Sequence, residues 1–228
     1  MTEAQSHIII AIDGPAGSGK STTARLVAKK LGFLYVDTGA MYRAVTLAWL
    51  REGKPNIDTF LMHLPDISMI LEPDSHQQRT LLDGEDVTND IRTSEVTEEV
   101  SFISSLKAVR EKMVSLQRNI GKSQSVVMDG RDIGTAVFPQ ANLKIFMIAD
   151  IEKRAIRRLQ EMQNKHSDNL PTIEELIQKM KERDQYDSNR EIDPLKMADD
   201  AILLDTTDLT IEDQANAIIS EAYTILKK

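Results

Sequence analysis

The stretch Gly14-Pro-Ala-Gly-Ser-Gly19-Lys20-Ser21 carries the most explicit chemistry in the sequence. It fills every fixed position of G-x-x-x-x-G-K-[ST], behind an apolar run, Ile8–Asp13, and ahead of a helical pattern, Lys20–Leu31. Backbone N–H groups that converge on phosphate oxygens need neighbours without bulk, so Gly14, Gly17 and Gly19 sit where close approach and unusual φ are required. Pro15, Ala16 and Ser18 complete the loop. The helix that follows, with Ser21 and Thr22 in its first turn, adds free N–H groups and the positive end of its dipole. Lys20 is expected at the β- and γ-phosphates and the Ser21 hydroxyl on Mg²⁺. The loop predicts use of a nucleoside triphosphate and leaves the acceptor open.

A second chemistry needs guanidinium groups. An enzyme that phosphorylates an already phosphorylated acceptor must bring two polyanions together, and arginine forks match phosphate oxygens two at a time. Outside the loop the sequence offers Arg43, Arg92, Arg110, Arg131, Arg154, Arg157, Arg158, Arg183 and Arg190. Any one of them reads equally well as solvated surface. The chain as a whole carries a net charge of −8, so the set is more informative than it would be in a basic protein. The same acidity argues against a general nucleic-acid binder.

These groups must be positioned by a framework. With 228 residues the chain suits one well-buried domain with a small insertion. Five short apolar runs are predicted strands: Ile8–Asp13, Leu34–Asp37, Ser125–Asp129, Lys144–Ala149 and Ala201–Asp205. Most are continuous rather than alternating, as strands covered on both faces should be. Helical periodicity runs through Lys20–Leu31, Ala40–Leu50, Glu95–Ile120, Glu152–Gln163, Glu174–Asp187 and Ile211–Leu226. Capping boxes precede the last two, Thr172 with Glu175 and Thr210 with Asp213. The expected architecture is α/β, a P-loop NTPase-type three-layer fold with a five-stranded parallel sheet. Between Ile67 and Ile91 the alternation breaks into two β-like runs, Ile67–Leu71 and Arg79–Leu82, which read as a small antiparallel insertion. The polar segment Asn164–Pro171 reads as a loop between helices.

Several classes are set aside by composition. There is no Cys, which removes disulfides, thiolate metal sites and a cysteine nucleophile. The histidines His7, His63, His76 and His166 show no metal-ligand spacing. The longest apolar run, Ile8–Ile12, is far short of a membrane span, and Met1 to His7 lacks the basic flank and apolar stretch of a signal peptide. A cytoplasmic protein without membrane partners, monomeric by default, is the expectation. A GTPase switch would need an Asn-Lys-x-Asp element; Asn164-Lys-His-Ser puts the acid one place late, at Asp168. A motor or transporter ATPase would usually be a larger chain with a strongly apolar strand ending in paired acids, where Val126-Val-Met-Asp129 has one. A small kinase fits better, and adenylate- or shikimate-type acceptors remain alternatives at this level.

Five segments in order resemble the bacterial cytidylate kinase family. They are Ile12–Ser21, Asp37-Thr-Gly-Ala-Met-Tyr-Arg43, Gly84-Glu-Asp-Val87 leading to Ile91-Arg-Thr-Ser-Glu-Val96, Asp129-Gly-Arg-Asp-Ile-Gly-Thr135, and Glu182-Arg-Asp-Gln-Tyr-Asp-Ser-Asn-Arg190. Together they span almost the whole chain. The resemblance implies transfer of the γ-phosphoryl group of MgATP to CMP or dCMP, giving ADP and CDP or dCDP. It implies a core of about residues 1–60 and 122–228, an acceptor-side insertion of about 61–121, and a short lid of about 154–172. It places Thr38, Tyr42 and Arg43 against CMP, with Arg43, Arg131 and Arg190 on its phosphate. Arg183 and Asp187 would hold the ribose hydroxyls, and Ser101, Arg110 and Asp132 would read cytosine. Arg154, Arg157 and Arg158 fall in the lid beside the triphosphate, one or two of them in contact and the rest solvated. Lys20, Arg131 and Arg158 would neutralise charge during transfer, and Asp129 would meet Mg²⁺ through water. Tyr42 reads alternatively as core, Ser101 as an ordinary helix serine, and Arg183, Asp187 and Arg190 as an exposed salt-bridge ladder.

Overall fold

The computed structural model describes residues 7–72, 78–164 and 170–226. In chain order the strands are β1 (Ile9–Asp13), β2 (Leu34–Asp37), β3 (Met69–Glu72), β4 (Arg79–Leu82), β5 (Glu85–Asp86), β6 (Val126–Gly130), β7 (Leu143–Ile148) and β8 (Ile202–Asp205). The α-helices are α1 (Lys20–Leu31), α2 (Thr38–Arg51), α3 (Ile57–His63), α4 (Ser94–Ser105), α5 (Lys107–Ser123), α6 (Ile151–Asn164), α7 (Ile173–Asn189) and α8 (Ile211–Leu226). Five strands form one sheet in the order β2-β6-β1-β7-β8, and each pairing is parallel. β3, β4 and β5 form a separate antiparallel sheet. The α/β architecture expected from the strand and helix alternation is therefore present.

Continuous apolar runs become central strands because both faces are covered. On one face Ile10, Ile12, Val127 and Ile145 meet Ala24, Val27 and Ile218 of α1 and α8. On the other, Ala11, Val36 and Met128 meet Ile133, Val137 and the α5 residues Val114 and Ile120. A second core joins α2, α3, α4, the first half of α5 and the small sheet around Met41, Val45, Trp49, Phe60, Ile103 and Met113. α6 and α7 close on each other through Ala155, Leu176 and Met180.

One expectation is corrected and one element is added. The single helix read over Glu95–Ile120 is two helices, α4 and α5, interrupted at Leu106, whose φ of −70° and ψ of 127° are extended. Local side-chain bonding competes with the helix there: the Ser104 hydroxyl donates to the Ser101 carbonyl (3.1 Å) and the Ser105 hydroxyl to the Phe102 carbonyl (2.7 Å). α3 was not anticipated; it is short, capped by the Asn56 side chain on the Asp58 N–H, and buries Phe60. His76, His166 and most of the polar loop after Asn164 lie outside the described residues.

The topology fixes where chemistry can occur. Register pairs Asp37 of β2 and Ile12 of β1 with Asp129 of β6, and Asp13 with Gly130. Three carboxylates, Asp13, Asp37 and Asp129, thus line the carboxyl edge of the sheet, where open α/β folds bind ligands.

Candidate active site

The glycine-rich loop leaves β1 at that edge. Gly14 has φ of 144°, and a Cβ there would lie 2.1 Å from the Met147 carbonyl oxygen of β7, so no side chain fits. Gly19 caps α1 at φ 94°. Other elements hold the loop from outside. The Thr206 hydroxyl donates to the Ser18 carbonyl (2.9 Å), and Arg154 of α6 donates to the Ala16 carbonyl (2.9 Å). Asp184 of α7 accepts from the Ala16 N–H (3.3 Å) and from the same Arg154 guanidinium (2.6 Å). Lys20 is buried, its ammonium donating to the Pro15 carbonyl (2.5 Å) and the Ser18 hydroxyl (3.2 Å). Burial, and then the neighbouring Arg131 charge, push its pKa well below the usual lysine value.

Beside the loop, the Ser21 hydroxyl donates to Asp129 (2.7 Å) and the Tyr35 hydroxyl donates to the other Asp129 oxygen (2.9 Å). Burial, followed by the Asp37 charge, raises the Asp129 carboxyl to about 6. A buried carboxylate under that pressure, beside the Ser21 and Tyr35 hydroxyls, suits a small divalent cation that takes its remaining ligands from substrate phosphates. Among the described residues no cluster of three or more His, Cys, Asp or Glu side chains forms an all-protein cage. The residues therefore fit Mg²⁺ arriving with a nucleotide. Asp13, one strand away, accepts from the Ile133 and Gly134 N–H groups (2.8 and 2.7 Å) and is raised to about 7, chiefly by burial.

Across the sheet edge lies a crowd of guanidinium groups. Arg43 of α2 donates to the Thr97 hydroxyl (2.8 Å) and the Ile91 carbonyl (3.3 Å). Burial, then the Arg183 and Arg92 charges, lower its pKa to about 9, with Arg158 adding to the effect. Arg183 of α7 is lowered to about 10 by burial and then by Arg131, and its Nε is buried with no hydrogen-bond partner. Carboxylates partner three of the five: Asp187 accepts from Arg131 (2.9 Å), Asp37 from Arg92 (2.9 Å) and Glu161 from Arg158 (3.1 Å). Cations that depress one another's pKa in a buried setting destabilise the protein, and an anion between them relieves that cost.

Farther along the edge, two acids and two arginines close into a ring. Asp132 accepts from Arg110 through one oxygen and from Arg190 (3.1 Å) through the other. Arg110 also donates to Asp193 (2.8 Å) and to the Ser104 carbonyl (3.3 Å), which the break at Leu106 frees from its helical partner. Tyr42 lies beneath Arg110, ring centroid to guanidinium 5.6 Å, and its hydroxyl is buried without a partner. A cavity of about 540 Å³ reaches this ring through Arg190, with Ser105, Tyr186 and Asn189 among its other walls.

Most of the expected site residues thus meet at one edge. Thr38 is buried and donates to the Asp129 carbonyl (2.7 Å). Arg183 and Asp187 turn inward, Asp187 being buried, so the exposed-ladder reading does not hold for them. The three arginines of α6 separate. Arg154 grips the loop backbone, Arg157 donates to the Thr206 and Thr207 carbonyls (2.5 and 3.2 Å), and Arg158 faces the crowd around Arg43 and Arg183 while pairing with Glu161 (3.1 Å). Thr22 is exposed. Ser101 is half-buried on α4 and, among the described residues, brings no side-chain hydrogen bond to the ring. Sequence reasoning passed over Asp13, Asp184 and Asp193, and named Arg92 among the arginines without giving it a place of its own. Arg92 stood inside a quoted segment, and Asp184 lies three residues before Asp187, a spacing that shares a helical face.

The sequence profile of a family described as cytidylate kinase matches residues 10–224. The cytidylate kinase of Chloroherpeton thalassium is 51% identical over 228 residues, covering 97% of this chain and 95% of that one. The Chlorobaculum tepidum enzyme of the same name is 50% identical over 215 residues, covering 92% and 91%. That of Desulforamulus reducens is 50% identical over 222 residues, covering 96% and 97%.

Proposed function

Because the chain belongs to the cytidylate kinase family, we propose that its sheet edge is one active site with two halves, a triphosphate loop and an arginine-lined acceptor pocket. The protein is a (d)cytidylate kinase, an ATP-dependent phosphotransferase. The reaction is an in-line transfer: an oxygen of the CMP or dCMP phosphate attacks the γ-phosphorus, the bond to the β,γ-bridging oxygen breaks, and ADP leaves. The acceptor phosphate is already anionic, so no covalent enzyme intermediate is required. The protein's work is alignment and charge neutralisation.

In this reading Gly14–Thr22 cradle the triphosphate, with Lys20 at its β and γ groups. Ser21, and Asp129 through water, would hold Mg²⁺, which would supply positive charge at the transferring group. Arg43, Arg131 and Arg183 receive the acceptor phosphate and ribose, Arg92 supports them through Asp37, and Arg158 bridges toward the donor. Arg110 and Asp132 read cytosine: a carboxylate accepts from the exocyclic amine while a guanidinium donates to N3 and O2. The acceptor-side insertion extends over about residues 61–121 and the lid over about 154–172. The observation that carries this reading is the buried, partnerless Nε of Arg183 within a field of like charges beside the loop. Such a group is tolerated where an anion completes it.

A coupled ADP-release assay with CMP, dCMP, UMP, AMP and shikimate tests the proposal. CMP and dCMP should turn over rapidly and the others slowly. Rapid turnover of AMP or shikimate with none of CMP would reject it.

A further inference from the structure

Asp193 has no part in the chemistry above, yet it is the least relaxed acid near the site. Its φ is +46°, a left-handed value that costs a non-glycine residue free energy, and Pro194 follows it. The segment is fixed on both sides. Arg190 caps α7 with its N–H on the Tyr186 carbonyl (3.1 Å), and the Leu195 N–H donates to the Asp187 carbonyl (2.8 Å). What the strained backbone achieves is a double hold. The Asp193 carboxylate accepts from Arg110 Nε (2.8 Å), and its carbonyl accepts from Arg190 Nε (2.7 Å). Asp132 joins the other ends of the same two arginines.

A guanidinium has five N–H groups. Asp193, Asp132 and the Ser104 carbonyl engage three of those on Arg110, which fixes its plane and leaves two for anything else. Charge matters as much as direction. With Asp193 the ring holds two cations and two anions; without it, two cations compete for the lone pairs of Asp132 alone. A surplus cation favours a carbonyl oxygen, and an Asp132 saturated by arginines has less to offer an amine.

We propose that Asp193 is the positioning residue that sets base selectivity, holding Arg110 and Arg190 so that the ring prefers a 4-aminopyrimidine to a 4-oxopyrimidine. The inference rests on the assignment of Arg110 and Asp132 to base reading. Asp193 itself need not touch the substrate.

Glycine and asparagine both tolerate the left-handed backbone, so Asp193→Gly and Asp193→Asn separate the carboxylate from the fold. The experiment measures kcat and KM of each full-length variant for CMP, UMP and ATP, together with Tm. For Asp193→Gly the KM for CMP should rise about tenfold, with little change in kcat or in the KM for ATP, as expected for loss of one charge-assisted bond. The CMP-to-UMP ratio of kcat/KM should fall about tenfold, and Tm should fall, because relief of the left-handed backbone only partly offsets the loss of an acid from the buried Arg110. Asp193→Asn keeps an oxygen acceptor without the charge and should fall between, at about a threefold loss. An unchanged ratio in a folded glycine variant overturns the proposal; should that variant not fold, an unchanged ratio in the asparagine variant does so. If the parent enzyme itself fails to discriminate CMP from UMP, the base-reading assignment falls and this inference with it. A discriminating parent with indifferent variants removes the role of Asp193 alone.

Discussion

The donor loop and the acceptor pocket solve one problem, holding phosphate, by opposite means. The loop uses backbone: Gly14 packs against the Met147 carbonyl, Gly19 opens a helix, and Lys20 is the one cation built into it. Such a site is cheap to keep folded, because N–H dipoles bring no net charge. The pocket uses side chains from separate elements, α2, α7, and the turns after β5 and β6, and its cations press on one another. It therefore needs its own acids, Asp37, Asp132, Asp187 and Asp193, to remain folded without substrate. The contrast teaches that a backbone site is a contiguous motif, whereas a guanidinium site is a balance of charges spread over the chain.

The comparison breaks most visibly at Lys20. Lys20→Ala should lower kcat/KM by about 10³-fold, judged by a coupled assay, since a single transition-state charge contact in an enclosed site is worth that much. Near-parental turnover would mean that the loop's backbone suffices and that the triphosphate has no need of this ammonium. A sharper effect, of opposite sign for function and for stability, is expected at Arg183. Arg183→Met should raise the KM for CMP about 30-fold, leave that for ATP within about threefold, and stabilise the substrate-free protein by about 1 kcal/mol in denaturant unfolding. A destabilised variant would show that the Arg183 charge is already satisfied without substrate.

The smallest effect tests the joint between the two regions. Asp13 stands between Asp132, which raises its pKa, and Lys20, which lowers it. Its carboxyl is raised from 3.8 to about 7, so the folded state binds this proton more tightly than the unfolded chain. The resulting stabilisation is complete below pH 4 and is lost as pH climbs through 7. Substrate-free protein should show that slope in Tm, about 1.4 kcal/mol per pH unit between those limits. Asp13→Asn should flatten it, whatever its absolute Tm. Parallel profiles for parent and variant would assign the slope to other groups.

How much of this was legible beforehand follows from the same distinction. α1, α8 and β2 end where periodicity and apolar runs place them, because burial on fixed faces writes those patterns into the sequence. The loop was legible whole, being one contiguous motif. The break at Leu106 was not, since Val100, Ile103, Val109 and Met113 all stay buried and keep the helical period while Ser104 and Ser105 turn their hydroxyls back on the chain. The fates of Arg154, Arg157 and Arg158 were equally hidden. Nothing local distinguishes a guanidinium that clasps a loop carbonyl from one that faces an anion pocket; the partner is supplied by another element. Asp193 was invisible for the same reason.

Helix α7 ties the two regions together. Asp184 fastens it to the loop, and Asp187, one turn or about 4.5 Å farther along, fastens it to the pocket. Both anchors sit on one stiff rod of 17 residues. A rotation or slide of that rod cannot shift the grip on one nucleotide without shifting the grip on the other, so the spacing between the two reacting phosphates is set in advance by the pitch of an α-helix.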